Sequence, residues 1–184
     1  MKFLVDCERG LLTTRSEGES NRHRLEAAIR SQPSDSLEIS FEGVEALTIS
    51  FADEFLGRLL TELQSAVQEP VPVLVTGLNA DTAVELDVVL ERRKLQVASF
   101  LANELKLLGG DRLLKETFLA AVQLHHFTPA QLGDEIDTSV QNVNNRLKRL
   151  LTAGALQRTR VSVSGGGREY EYRVPDLFNA PAAA

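Results

Sequence analysis

A chain of 184 residues, 43% of them hydrophobic, has the length for one large domain or two small ones. Its formal net charge of −6 argues against a nucleic-acid binder that is basic throughout, and its single cysteine, Cys7, leaves no disulfide within the chain and no cysteine-built metal site. No run of about 18 apolar residues suggests a membrane span. Asp6 directly after Met-Lys-Phe-Leu-Val interrupts any signal-peptide core, so a cytoplasmic protein is expected.

Met1–Val5 is predicted as a strand, with Leu11-Leu12 continuing or pairing with it. From Ser20 onward, Leu25, Ala28 and Ile29 follow helical spacing in a helix rich in arginine (Arg22, Arg24, Arg30), which must stop before Pro33. Ser31–Ser36 is polar loop. Ser36–Phe41 alternates as a half-buried strand, and Gly43 opens the turn after it. A helix is predicted from about Phe51 to Gln68, with Phe51, Phe55, Leu59, Leu60, Leu63 and Val67 as its apolar positions. Ser50 stands where its N-cap belongs, with Asp53 three residues on. Glu69-Pro70-Val71-Pro72 breaks that helix, and Val73-Leu74-Val75-Thr76 reads as a short buried strand. Gly77-Leu78-Asn79 then turns into a helix over Asp81–Arg93. Gln96–Ala102 and Leu105–Leu108 read either as a hairpin across Asn103-Glu104 or as helix. This alternation predicts the α/β class, a sheet with helices against it, and Gly109-Gly110 is the natural joint to the C-terminal part of the chain.

The phrase from Ile39 to Phe55 is distinctive, and it resembles the STAS-like domain family, relatives of bacterial anti-sigma factor antagonists. The likeness extends over 1–108 and is strongest at Phe41–Leu60. It implies a mixed sheet with helices, in which a strand and loop deliver a serine to the start of a helix. In such antagonists a GHKL-type kinase phosphorylates that serine; the matching position is Ser50, although Phe51 stands where a glycine follows it there. The resemblance thus makes Ser50 a candidate phosphosite and a kinase or other protein a candidate partner. By its own chemistry Ser50 would equally serve as a simple helix cap, while a phosphate at a helix start would meet unpaired N–H groups and a partial positive charge.

The region 111–175 has a different charge. Through Gly110 there are 11 basic against 18 acidic residues, whereas Thr138–Arg173 holds 7 basic against 2 acidic. A long helix over Asp111–Phe127 is followed by a short one from Thr128-Pro129 and a turn. An amphipathic helix comes next, capped by Thr138 or Ser139, with Val140, Val143, Leu147, Leu150 and Leu151 on its apolar face. Ala153-Gly154 ends it. Leu156–Val163 and Glu169–Val174 alternate on either side of Gly165-Gly166-Gly167, a hairpin signal. This order resembles the winged helix-turn-helix of small bacterial repressors, carried by Thr128–Leu132, Ser139–Leu150 and Ala153–Leu156. That fold also serves as a protein-docking scaffold.

On the DNA-binding reading, the helix Ser139–Leu151 enters the major groove. Ser139, Gln141, Asn142, Asn145 and Arg149 then point away from the apolar face, with amides suited to adenine and arginine to guanine. Arg146, Lys148, Arg158, Arg160, Arg168 and Arg173 would hold phosphates or reach a minor groove. Double-stranded DNA is the expected partner, and a homodimer is expected because such domains usually read paired half-sites, with the helix Asp111–Phe127 available to build it. The rival is a protein-interaction switch of the antagonist type, set by Ser50 phosphorylation and without DNA binding.

No enzyme chemistry, metal or cofactor is expected. His125-His126 are neighbours on a predicted helix and diverge by about 100°, so they cannot chelate together. Neither glycine-rich stretch carries the Lys-Ser/Thr of a phosphate-cradling loop. The segment 176–184 reads as a tail.

Overall fold

The computed structural model describes residues 1–65, 70–162 and 168–179, without the side chains of Ser162, Arg168, Glu169 and Asn179. The hairpin turn Gly165–Gly167 and Val163, the helix end at Val67-Gln68, and residues 180–184 lie outside the described residues. Asp176–Asn179, expected as tail, is instead a 3-10 turn, because Phe178 is buried in the C-terminal core.

The chain is of the α/β class. Strands β1 (Lys2–Leu4), β3 (Leu37–Ser40), β5 (Val73–Thr76), β6 (Val97–Leu101) and β7 (Glu104–Leu108) form one sheet in that order. The first four run parallel, and β7 turns back antiparallel on β6. Helices α1 (Arg15–Ser31) and α4 (Ala80–Arg93) carry the chain between parallel neighbours, as parallel pairing requires. So does a third crossover, made of α2 (Ile49–Ala52), a π-helical turn at Asp53–Gly57 and α3 (Arg58–Ser65). β5 is buried at all four positions, which explains why Val73-Leu74-Val75 does not alternate.

The hairpin reading of Gln96–Leu108 holds, with the two-residue turn one place earlier than expected. Leu101 pairs with Glu104, and Ala102 and Asn103 both adopt positive φ, as the tight turn that suits strand twist demands. Three other local expectations are corrected. Leu11-Leu12 (β2) pairs with β4 (Ala46–Leu47) in a separate two-stranded sheet, not with β1. α1 starts at Arg15 rather than near Ser20, because Thr14 and Glu17 close a capping box ahead of the apolar positions. Thr48, not Ser50, caps α2: its Oγ1 accepts the Phe51 N–H at 3.3 Å, which places Ser50 inside the first turn.

Period-two alternation along the strands divides the core in two. Ile39, Val75 and Val97 face α1, the α2–α3 segment and α4, around a nest of Phe3, Phe41, Phe51 and Phe55. Leu74, Ala98 and Leu107 point to the opposite face, where they join the core of the unit C-terminal to Gly110. That unit consists of α5 (Arg112–Leu124), β8 (His126–Phe127), α6 (Pro129–Glu135), α7 (Val140–Thr152), β9 (Gln157–Ser162) and β10 (Arg168–Arg173). A small antiparallel sheet of order β8-β10-β9 closes it. The acidic sheet and the more basic C-terminal unit thus share one apolar cluster.

The joint is held from both sides. Asp87 of α4 accepts the Gly109 N–H at 2.6 Å and the Lys115 ammonium of α5 at 2.8 Å. Gly109 has φ +71°, and a Cβ there would strike the Leu95 carbonyl, so only glycine lets the chain pass.

Candidate nucleic-acid interface

Helix α7 is positioned by its own sequence. The Ser139 Oγ accepts the Asn142 N–H at 3.4 Å as the cap. At the other end Gly154, at φ +65°, lets the N–H groups of Gly154 and Ala155 return to the Leu151 and Leu150 carbonyls. A Cβ at Gly154 would collide with the Val71 carbonyl, so the end of α7 abuts the segment leading into β5. Val143, Leu147 and Leu150 are fully buried with Leu114, Phe118 and Leu132 of the two helices behind. Val140 is not part of that stripe: it stands in the first turn and is 47% exposed.

The outer face carries Gln141, Asn142, Asn144, Asn145, Lys148 and Arg149, all exposed. Among the described residues the side-chain amides of Gln141, Asn142, Asn144 and Asn145 make no hydrogen bond. The arginines differ. Arg146 is half-buried and donates through Nη1 to the Thr117 Oγ1 at 3.0 Å, so it is anchored inside the unit rather than aimed at phosphate. Arg149 donates through Nη1 to the Asp111 Oδ2 at 2.7 Å. Asp111 also caps α5 through the Leu114 N–H at 2.9 Å. Arg149 and that N–H together hold its carboxyl below the usual carboxylate range. Arg149 is thus tied to the joint between the units rather than standing free for bases.

The hairpin lies beside α7. The register pairs Arg160 with Tyr170 and Arg158 with Tyr172, so these four share one ribbon face, while Glu171, opposite Thr159, takes the other. Tyr172 is buried and stacked on Phe127. Tyr170 is 40% exposed, and the Arg158 guanidinium stands 4.7 Å from its ring centroid, a cation–π contact that orders the arginine. Arg160 is exposed. Arg173 pairs with Asp176 at 3.4 Å, which turns it toward the chain's end. Arg168 is paired in β10 opposite Ser162, and its side chain lies outside the described residues. Between hairpin and helix runs an open groove of about 710 Å³, lined among others by Pro70, Lys148, Arg158, Tyr170, Tyr172 and Arg173. Among the described residues, no acidic one lines it.

Of the expected site residues, the structure gathers Gln141, Asn142, Asn145, Lys148, Arg158 and Arg160 on adjoining exposed surfaces. Arg146 is anchored in the interior, while Arg149 and Arg173 form ion pairs at the surface, Arg173 also lining the groove. Asn144 and Tyr170 were not foreseen; helical spacing puts Asn144 next to Lys148, and strand alternation puts Tyr170 beside Arg160. His125 ends α5 in a positive-φ turn and His126 starts β8. Among the described residues no three His, Cys, Asp or Glu side chains gather closely enough to hold a metal ion, and no helix is long and apolar enough to cross a membrane.

No family model and no curated protein matches the chain. Among solved structures, one match is described as a possible transcriptional regulator from Methanosarcina mazei Go1, 19% identical, with a TM-score of 0.35. The match covers 38% of this chain and 62% of that one. A superposition of that extent fixes neither fold nor activity.

Proposed function

We propose that this chain is a DNA-binding transcriptional regulator, in which the C-terminal unit is a winged helix-turn-helix and the sheet unit is a STAS-like module that docks or senses a protein partner. One observation carries the reading: α7 presents an exposed face of amides and Lys148, with no acidic residue on it, beside a hairpin face bearing Arg158 and Arg160. A helix of this kind fits the major groove, where amides and cations meet base edges and phosphates. The basic hairpin face follows the neighbouring backbone. Arg158, preordered on Tyr170, loses less side-chain freedom on binding than an unsupported arginine. Two copies would read paired half-sites. Leu113 and Leu119, exposed on α5, offer apolar surface for such pairing.

The test is titration of a labelled duplex pool at several salt concentrations. Arg158→Ala with Arg160→Ala should weaken binding and make its dependence on salt shallower by about two counterions. Unchanged affinity at every salt concentration would refute the hairpin contact. Light scattering at micromolar concentration checks the dimer, and a monomer there removes it.

A second reading keeps one specific support. With Thr48 as the cap, Ser50 has no capping duty and its hydroxyl makes no hydrogen bond among the described residues. As the phosphosite of an antagonist-type switch, it would alter affinity for a protein partner. Ser50→Asp should then change capture of a GHKL-type kinase while leaving duplex binding as it was.

A further inference from the structure

We infer that the α7 face reads adenine rather than guanine, through Gln141, Asn142 and Asn145. This rests on the proposed insertion of α7 into the major groove and specifies what the helix recognises there. Guanine offers two acceptors, O6 and N7, and is read by a cation with two donors. Adenine offers an acceptor at N7 and a donor at N6, the complement of a carboxamide. Both arginines of α7 already have partners in the protein, Arg146 in the interior and Arg149 in an ion pair at the surface. Arg149 is held at 2.7 Å by Asp111, a carboxylate itself fixed as the cap of α5. Arg146 is held by Thr117, a fully buried side chain.

Lys148 is the remaining cation of the helix. It lies in the C-terminal half and lines the groove shared with Arg158 and Tyr170, where a phosphate run fits better than a base edge. In helix-turn-helix complexes the N-terminal residues of the second helix reach the bases. Here those residues are Gln141, Asn142 and Asn145, all exposed. At about 100° per residue, Gln141 and Asn145 stand about 40° apart and Asn142 about 60° beyond Asn145. The three amides therefore fan across one side of the helix and can address neighbouring base pairs.

The experiment is selection of bound duplexes from a random pool with the full chain, run in parallel on the wild type and on Asn145→Ala, Arg149→Ala and Asp111→Asn. The wild-type pool should be enriched in adenine at two or three positions of each half-site. Asn145→Ala should lose the preference at one of them and bind the wild-type consensus about tenfold more weakly. Arg149→Ala should return the wild-type consensus. Asp111→Asn keeps a capping side chain for α5 but releases Arg149, and its pool should gain a guanine. Guanine in the wild-type consensus that disappears with Arg149→Ala would overturn the inference. Binding without enrichment would overturn base reading while leaving DNA binding standing, and failure to retain any duplex at low salt would overturn both.

Discussion

The polar groups of the sheet unit and those of α7 behave in opposite ways. In the sheet unit, the charge cluster around Glu54 and Arg22 is turned inward and closed on itself. Glu54 is only 6% exposed and takes Arg58 at 3.2 Å, Arg22 at 3.5 Å and Arg15 at 3.8 Å. Asp53 beside it holds Arg93 at 2.6 Å across the π-helical turn. On α7 the amides are outside and bond to nothing among the described residues. A charge buried among apolar groups must be paired, since an unpaired one costs several kcal/mol. An exposed amide remains hydrated and costs the fold almost nothing. The first arrangement is explained by folding. The second places no demand on the fold, and under the proposed function it leaves these amides open to a duplex.

Four substitutions probe this difference between buried charge and exposed amides. The largest effect should come from the apolar cluster that both units share. Phe118→Ala, at a fully buried ring, should cost about 3–5 kcal/mol. Because Leu74, Ala98 and Leu107 belong to the same cluster, urea unfolding followed by tyrosine fluorescence (Tyr170, Tyr172) and by far-ultraviolet circular dichroism should show one transition. Two separated transitions would mean that the units fold independently. Next, Glu54→Ala should cost about 1–2 kcal/mol, since buried Arg22 loses its contact at 3.5 Å while keeping Glu26 at 2.7 Å. Arg22 is already short of a partner, its Nε having none among the described residues. A loss under about 0.5 kcal/mol in the same denaturation would contradict the inward-charge account.

The Asp53–Arg93 pair, about one quarter exposed, should contribute about 1 kcal/mol or less at neutral pH. Arg93 holds the Asp53 carboxyl below its ordinary value. Its contribution is therefore present above the unfolded value of about 3.9 and is lost as pH falls through the lowered folded one. The stability gap between wild type and Asp53→Asn should close on acidification, and a gap that widens would reverse the assignment. The smallest effect belongs to α7. Gln141→Ala with Asn145→Ala should leave the stability within about 0.5 kcal/mol of the wild type, with the loss appearing only in binding to duplex.

Much of the architecture was legible in the residues because it depends on local periodicity. Strict alternation marked Leu37–Ser40, helical spacing marked α4 and α7, and Gly154 marked the end of α7. Boundaries were less legible where a polar cap decides them. Thr14 with Glu17 began α1 at Arg15, nearly three turns ahead of Leu25, and Thr48 displaced Ser50 as the cap of α2. Both caps are set by where the preceding loop delivers the chain. The pairing of Leu11-Leu12 with Ala46-Leu47 joins segments far apart in sequence, and no local pattern encodes that.

The same division runs through the candidate interface. By itself, the sequence determined which residues α7 and the hairpin can offer to a partner, because side-chain chemistry and a period of 3.6 or two settle who shares a face. Which of them remain available depends on packing between elements distant in the chain. Arg149 meets Asp111 across 38 positions and Arg146 meets Thr117 across 29, ion-pair and hydrogen-bond partners that exist only once α5 has packed behind α7. The physical reason is range: backbone geometry acts over a few residues, whereas the burial of Leu74, Ala98 and Leu107 with Phe118 and Leu147 brings together groups from the whole chain.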